Sequence, residues 1–249
     1  MNFLDPKKRF TATVEDYQAY RPGYPDALVD WILSVAGVPP GGKAADVGSG
    51  TGISTRLFAA RGLDVVGVEP NDEMRAAAEA RGGARYRKGD ASNTGLPSGG
   101  LDLVFAAQAF HWFDLEPAFA EFKRVLKPEG WCAAFWNGRA GGDPLMRDYE
   151  ALLLEFSSEY AEVRRKYAVL DEIGKSSRVR DWTRAAFPNS QSLDLAGFLG
   201  RVHSSSYVAH GVARRAELDR ALEDLFSRRA AGGRVEFRYV VEAACFRLR

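Results

Sequence analysis

A regular alternation of short apolar runs with helix-like segments, between Lys43 and Trp136, is the feature that most restricts the fold of this 249-residue chain. The apolar runs have the length of strands, and the segments between them have the apolar spacing of helices. This alternation is typical of parallel strands joined by crossover helices, with helices on both faces of the sheet. The predicted strands are Lys43–Val47, Asp64–Glu69, Ala84–Gly89, Leu101–Ala107 and Gly130–Trp136, and the predicted helices are Ile53–Arg61, Asp72–Arg81 and Glu116–Leu126.

The pattern changes after Trp136, where the turn-rich stretch NGRAGGDP is followed by apolar residues at spacings of three and four from Leu145 to Arg184. This spacing predicts a helical insertion after the fifth strand. Further helices are expected around Leu193–Arg201 and Arg214–Arg229, before one or two closing strands. We expect one domain, with an N-terminal arm and first helix (1–30), a core (43–137), a helical cap (138–190) and a closing part (191–249). The cap and the arm are expected to form a mobile cover over the ligand site.

The charge balance gives no sign of a polyanionic partner. The chain has 34 Lys+Arg against 33 Asp+Glu, a formal net charge of +1, so nothing draws it as a whole to nucleic acid or to a membrane. A local cluster of Arg178, Arg180 and Arg184 around Trp182 resembles a nucleic-acid patch but is interpreted as a solvated helix face with one buried aromatic. A further alternative is that these arginines orient an anionic acceptor.

The positions of the cysteines and the lengths of the apolar stretches indicate the cellular compartment of the protein. Cys132 and Cys245 lie in strand-like apolar runs, which favours buried reduced thiols over a disulfide. No apolar stretch has the length of a signal peptide or a membrane span. We therefore expect a cytoplasmic protein. We further expect a monomer or a homodimer, and we predict no metal site.

The stretch KAADVGSGTGIS follows the first predicted strand and indicates the ligand. Glycine-rich turns at this place let a ligand approach the backbone closely, in dinucleotide-binding and in methyl-donor-binding folds alike. Asp46 at the strand end would repel a pyrophosphate, whereas S-adenosylmethionine has no phosphate and carries two cationic groups. Gly48, Gly50 and Gly52 also depart from the G-x-G-x-x-G spacing of dinucleotide sites. Both features favour the methyl donor.

Acidic residues at the ends of the next two strands extend this interpretation. Glu69 lies about 20 residues beyond the loop, where a carboxylate can accept both hydroxyls of a ribose. Asp90 ends the third run and could accept from the amine of an adenine, although an acid there could equally be a turn residue. Since the carboxyl ends of parallel strands share one edge, we expect these groups to meet in one ligand site.

The motifs ADVGSGTG, VVGVEP, KGDAS and RVLKPEGW resemble those of class I S-adenosylmethionine-dependent methyltransferases, in order and spacing. The flanking DYQAYRPGYP (residues 16–25) and AQAFHWFD (residues 107–114) are similar to the type 11 group that includes trans-aconitate methyltransferase. The resemblance implies a doubly wound, Rossmann-like α/β fold: a mostly parallel seven-stranded sheet with an antiparallel C-terminal strand. It also implies a set of donor-binding residues: Tyr20, Arg21, Asp46, Gly48, Ser49, Gly50, Gly52, Glu69, Pro70, Met74, Asp90, Ala91, Gln108, Ala109 and Phe110.

Within this resemblance, Arg21 is the candidate partner of the donor's carboxylate, with Tyr20 beside it, and Gln108 to Phe110 flank the donor. The alternative for Arg21, which precedes Pro22, is a simple turn residue.

The acceptor is expected to be a small molecule, because the segment AQAFHW lacks the tetrad that holds amide or amino nitrogens and no RNA-binding module is present. A carboxylate acceptor is already ionised at neutral pH, whereas a hydroxyl would need a base such as His111. Phe110 and His111 are expected to face the site, unless His111 only bonds a neighbouring turn. A catalytically silent donor-binding protein and a nicotinamide-dependent oxidoreductase are the remaining alternatives.

Overall fold

The structure, a computed structural model, describes residues 19–165 and 169–249. Its strands are β1 (Lys43–Val47), β2 (Asp64–Val68), β3 (Arg85–Arg87), β4 (Leu101–Ala107), β5 (Leu126–Arg139), β6 (Val179–Leu193) and β7 (Val235–Leu248). Its helices are α1 (Asp26–Ala36), α2 (Ile53–Ala59), α3 (Asp72–Arg81), α4 (Leu115–Val125), α5 (Pro144–Phe156), α6 (Tyr160–Arg165), α7 (Val169–Lys175), α8 (Leu195–His203), α9 (Ser206–Ala209) and α10 (Arg215–Arg229), with a 3₁₀ turn at Phe110–Trp112.

The strands form one sheet in the order β3-β2-β1-β4-β5-β7-β6. The strands from β1 to β5 pair in parallel, and β7 lies antiparallel between β5 and β6. This arrangement confirms the predicted doubly wound α/β fold with a reversed C-terminal strand. The strand order reverses between β1 and β4, and ligands of such sheets bind in the crevice at that point, outside the carboxyl ends of the strands.

Helices cover both faces of the sheet, as the alternating side chains of β4 show. Leu103 and Phe105 belong to one apolar core, together with residues of α1 and α2 such as Leu28 and Phe58. Val104 belongs to the core on the opposite face, together with residues of α4 and α7. Because successive side chains of a strand point to opposite faces of the sheet, β4 contributes residues to two cores.

A third core lies between the inserted and closing helices. It joins residues of α5, α6, α8, α9 and α10 to the first half of β7, with Tyr149, Phe198 and Phe237 among its fully buried rings. The predicted helical insertion after β5 is thus present as α5, α6 and α7. The N-terminal arm lies mostly outside the described residues, which begin at residue 19.

The prediction that the helical pattern continues to Arg184 was wrong, because residues from Val179 onward form β6. β6 pairs with β7 from Val179 to Leu193. The pairing in this long ladder determines the structure of the segment, although its local apolar spacing is that of a helix. Trp182 packs on Phe246, with ring centroids 5.6 Å apart. The neighbouring arginines form surface ion pairs, Arg178 with Glu116 and Arg184 with Asp171.

Both cysteines are buried free thiols, as predicted, and burial raises the pKa of Cys245 to about 12. Within the described ranges, no helix has the length and apolar character needed to cross a membrane.

Candidate active site

The loop between β1 and α2 turns at three glycines with left-handed backbones. The φ angles of Gly48, Gly50 and Gly52 are 73°, 55° and 77°. A Cβ atom on Gly48 would lie 2.7 Å from the Cβ of Ala109, and one on Gly52 would lie 2.1 Å from the hydroxyl of Tyr86. A Cβ on Gly50 would meet nothing within 4 Å. The outer two glycines therefore allow close packing, while the middle one leaves the backbone open to a ligand.

Glu69, at the end of β2, holds this loop in place. Its carboxylate accepts hydrogen bonds from the amide of Gly50 at 2.8 Å and from that of Asn71 at 2.9 Å. The side chain is buried, and burial raises the pKa of Glu69, although the two amides oppose the rise. An ionised carboxylate has about four acceptor positions, so these two bonds leave capacity for hydroxyl groups of a ligand.

Asp46 is fully buried at the end of β1. Its Oδ2 accepts hydrogen bonds from the hydroxyls of Ser54 at 2.6 Å and Thr55 at 2.7 Å. Its Oδ1 has no hydrogen-bond partner among the described residues. Burial raises the pKa of Asp46 from 3.8 to about 6, against the effect of the two hydroxyls. A cationic ligand group would satisfy this oxygen, so the residue fits the aminoacyl end of S-adenosylmethionine.

A narrow cleft runs from the glycine loop to the end of β4. Its lining consists of three residues before α1 and seven residues of the glycine loop, α2 and the end of β4: Arg21, Pro22, Tyr24, Gly48, Ser49, Thr51, Ile53, Ser54, Ala107 and Gln108. Four predicted donor residues, Arg21, Gly48, Ser49 and Gln108, therefore come together here.

A larger cavity of about 330 Å³ shares Arg21 and Gln108 with this cleft. Gln108 directly follows β4 and has a φ of 58°, which is uncommon for a residue other than glycine. Such strain is often found at functional sites. Gln108 therefore lies where the two spaces meet.

Arginine side chains dominate the lining of this cavity. Five guanidinium groups against two carboxylates give the lining a formal excess of three positive charges: Arg21, Arg139, Arg147, Arg164 and Arg201 against Glu150 and Glu242. Glu150 is already shared by Arg139 at 3.4 Å and Arg164 at 3.9 Å. Glu242 lies 3.5 Å from Arg184, which belongs to β6. The cavity is therefore suited to an anionic ligand.

Arg201 is the most deeply placed of these charges, at 5% exposure. Its Nε donates to the hydroxyl of Tyr239 at 2.8 Å and another guanidinium nitrogen donates to the hydroxyl of Ser205 at 3.2 Å. Its guanidinium also lies over the ring of Phe237, 5.4 Å from the centroid. Within residues 19–165 and 169–249, no carboxylate forms an ion pair with it. A buried charge without an opposite charge is costly, and an anionic ligand would compensate it.

The remaining predicted donor residues lie at neighbouring strand ends. Pro70 and Met74 follow Glu69, and the Met74 side chain is buried. Asp90 accepts hydrogen bonds from the amides of Ser92 at 3.0 Å and Asn93 at 3.1 Å, so it holds a turn. Its neighbour Ala91 is buried in the core.

Phe110, His111 and Tyr20 are among the predicted residues that line neither the cleft nor the arginine-lined cavity. Phe110 was expected to face the site but is fully buried, with its ring 5.1 Å from that of Phe113. His111 lines a separate cavity of about 320 Å³, together with Glu162 and Phe110. Tyr20 lies with its ring against Gly200, where a Cβ would meet it at 2.3 Å. Ala109, beside Phe110, is buried against Gly48.

The sequence interpretation missed Arg139, Arg201, Tyr207 and Tyr239. One local signal was available for Arg201, which stands among the buried residues Phe198 and Val202 on the inward face of α8. A charged residue on the apolar face of an amphipathic helix indicates either a buried ion pair or a ligand.

A sheet of this strand order, with a glycine loop after β1 and an acid after β2, defines a Rossmann-like methyltransferase of class I. Residues 45–134 match the family described as methyltransferase domain. The chain is 30% identical over 204 residues to an uncharacterized methyltransferase-like protein of Schizosaccharomyces pombe, covering 81% of this chain and 78% of that protein. The chain therefore belongs to the S-adenosylmethionine-dependent methyltransferase family.

Two further comparisons agree with this assignment. An uncharacterized methyltransferase of Mycobacterium tuberculosis is 37% identical over 136 residues, 54% of each chain. The solved structure of a type II methyltransferase from Anaeromyxobacter dehalogenans superposes with a TM-score of 0.69 at 26% identity, covering 92% of this chain and 97% of that one. The trans-aconitate-like specificity is not confirmed by these relatives and stays a prediction.

Asp46→Asn should stabilise the donor-free protein and weaken donor binding. The pKa of Asp46 is higher in the folded chain, so its contribution to stability is complete below about pH 3.8 and is lost as the pH rises through about 6. At neutral pH the ionised form therefore costs up to about 3 kcal/mol, which the neutral amide avoids. Urea unfolding at neutral pH, with and without S-adenosylhomocysteine, measures both effects. A variant that is less stable than the wild type without the nucleoside would contradict the argument.

Proposed function

We propose that this enzyme transfers the methyl group of S-adenosylmethionine to a small acceptor that carries a carboxylate, and that the carboxylate is the methylated group. The observation that carries this proposal is the cavity of about 330 Å³ with an excess of guanidinium groups, which adjoins the donor cleft at Arg21 and Gln108. Its volume is typical of sites for small molecules.

The donor would be held by the glycine loop and the two acids. Gly50 offers an open backbone, Glu69 retains acceptor capacity for ribose hydroxyls, and the free oxygen of Asp46 suits an ammonium group. Arg21, which also lines the cleft, is the proposed partner of the donor's carboxylate. When bound, S-adenosylmethionine supplies an electrophilic methyl group on a sulfonium sulfur.

The role of the chain is then alignment of the acceptor and exclusion of water. Arg201 and Arg139 would bind and orient the anionic acceptor, because guanidinium groups form paired hydrogen bonds with carboxylates. The acceptor oxygen is already ionised at neutral pH, so no general base is needed. This agrees with a described cavity lining that contains no histidine, His111 lying on a different cavity.

Methylation of a hydroxyl on the same kind of anionic molecule is the second candidate. Tyr207 favours it, since the pKa of this buried phenol in the cavity is lowered to about 8 and its phenolate could accept the proton of the acceptor hydroxyl. The two candidates differ in their product, because a methyl ester is hydrolysed by mild alkali and a methyl ether is not.

A panel of acceptors tests the proposal. Purified enzyme with methyl-labelled S-adenosylmethionine should label small di- and monocarboxylic acids and should leave the matching primary amides unlabelled, because only the acids present an anion to the arginines. The label should leave the product as methanol in mild alkali. Transfer to neutral amides or amines, with none to any acid, would contradict the proposal, and an alkali-stable product would favour the hydroxyl.

A further inference from the structure

The phenol of Tyr207 lies between two arginines of the acceptor cavity. Tyr207 belongs to the short helix α9 and is 5% exposed. Its hydroxyl accepts a hydrogen bond from the guanidinium of Arg139, and Arg201 approaches from α8. Tyr207 also lines the arginine-rich cavity. A phenol hydroxyl thus shares this space with the two guanidinium groups that the proposed acceptor would use.

The groups that face this phenol are predominantly cationic. Arg139 approaches from β5, Arg201 from α8 and Arg21 from the N-terminal segment. Two further phenols, Tyr149 of α5 and Tyr160 of α6, lie beside it, and both remain neutral because burial raises their pKa. The carboxylate of Glu150 is taken up by the Tyr160 hydroxyl at 2.6 Å and by Arg139. Tyr207 is therefore the group in this cluster that can supply a further negative charge.

Burial alone would raise the pKa of Tyr207, but Arg139, Arg201, the Ser205 hydroxyl and Arg21 outweigh burial and lower it to about 8. The neutral form therefore predominates at neutral pH, and the phenolate is within reach in mildly alkaline solution. A phenolate here would compensate the guanidinium charge when no acceptor is bound.

We infer that Tyr207 is the internal counter-ion of the acceptor cavity in mildly alkaline solution, and that its phenolate takes up a proton from solvent when an anionic acceptor binds. The inference rests on the proposed function for the identity of the ligand as an anion. In this exchange the anion binds, the phenolate becomes a neutral phenol, and one proton is consumed. Tyr207 therefore makes anion binding depend on pH.

The consequence for binding has a definite sign. Below about pH 8 the phenol is neutral and the guanidinium charges are available to the acceptor, whereas above it the phenolate competes. With one linked proton, affinity for an anion should be about tenfold weaker at pH 9 than at pH 7. Tyr207→Phe keeps the ring and removes the titrating group, so its affinity should change little over the same range.

The test uses inorganic sulfate as the probe, because its charge is constant in this range, with sodium chloride added to hold the ionic strength constant. The ultraviolet absorbance of tyrosinate reports the titration of the phenol. Wild type should show one tyrosine that titrates near pH 8, and sulfate should shift that step upward. The step should be missing in Tyr207→Phe and retained in Tyr160→Phe, whose phenol also contacts Arg139 but titrates far higher.

If Tyr207→Phe does not fold, calorimetry on the wild type decides the question. Sulfate binding near pH 8, compared in two buffers of different ionisation enthalpy, should show net proton uptake. An absence of any tyrosine that titrates below pH 9, or sulfate binding without proton uptake, would overturn the inference. Neither measurement involves the donor or turnover. A failed methyl-transfer screen would therefore contradict the proposed function without affecting this inference. Sulfate binding without proton uptake would contradict this inference without affecting the proposed function.

Discussion

Replacing Glu69 by alanine should weaken the binding of S-adenosylhomocysteine by about a hundredfold or more. The carboxylate holds the amides of Gly50 and Asn71, so its loss frees the glycine loop. It would also remove the acceptor of the ribose hydroxyls. Hydrogen bonds to a charged group contribute about 1.5–3 kcal/mol each, and about 1.4 kcal/mol corresponds to a factor of ten in affinity. Two lost bonds to the ribose therefore account for the expected change, which isothermal calorimetry measures directly.

Two further variants separate the role in binding from a general loss of structure. Glu69→Gln keeps one carbonyl acceptor and should bind with intermediate affinity. Glu79→Ala removes an exposed carboxylate of α3, 3.7 Å from Arg75, and should bind like the wild type. Equal affinity in Glu69→Ala and the wild type would refute the donor site described above. If the wild type bound NADH tightly and did not bind S-adenosylhomocysteine, the nicotinamide-dependent oxidoreductase would instead be the better interpretation.

The contact between the glycine loop and the acid after β2 could be predicted from the sequence because its geometry is local. Asp46 and Glu69 stand at the ends of β1 and β2, which pair in parallel with Asp46 opposite Gly67. Once a parallel sheet is assumed, the residues after each strand must meet at one edge. The glycine spacing and the position of each acid relative to its strand were enough to bring Glu69 to the amide of Gly50.

The acceptor side could not be predicted, because its residues meet only through tertiary packing. Arg139 ends β5, Arg201 lies on α8 and Tyr239 lies on β7, so the group spans 100 residues of sequence. The burial of Phe110 has a different cause. The sequence placed it after β4, but a 3₁₀ turn rotates its ring into the core, and no residue pattern in AQAFHW indicated that rotation.

Replacing Arg201 by methionine should raise the KM for the carboxylate acceptor at least a hundredfold while leaving donor affinity and stability unimpaired. Arg201 is buried without a carboxylate partner among the described residues, so its desolvated charge would be compensated by an anionic ligand. Replacing a buried charge that has no opposite charge beside it by an apolar residue of similar volume removes the desolvation cost of that charge. The hydroxyl of Tyr239 keeps its hydrogen bond to Gln191 at 2.7 Å, so the substitution does not leave this buried hydroxyl without a partner. The melting temperature should therefore be equal to or above that of the wild type.

The separation of these three readouts is what identifies Arg201 as an acceptor-binding residue, because a structural role would move stability first and donor affinity with it. Arg201→Lys keeps the charge but loses the planar fork, so its KM should lie between the two. Arg228→Met, on the exposed face of α10, should behave like the wild type in all three measurements. A methionine variant that keeps a normal KM would place the acceptor elsewhere. A variant that loses stability and donor binding together would show that this buried charge serves the fold, through the bonds of Arg201 to Tyr239 and Ser205, rather than the substrate.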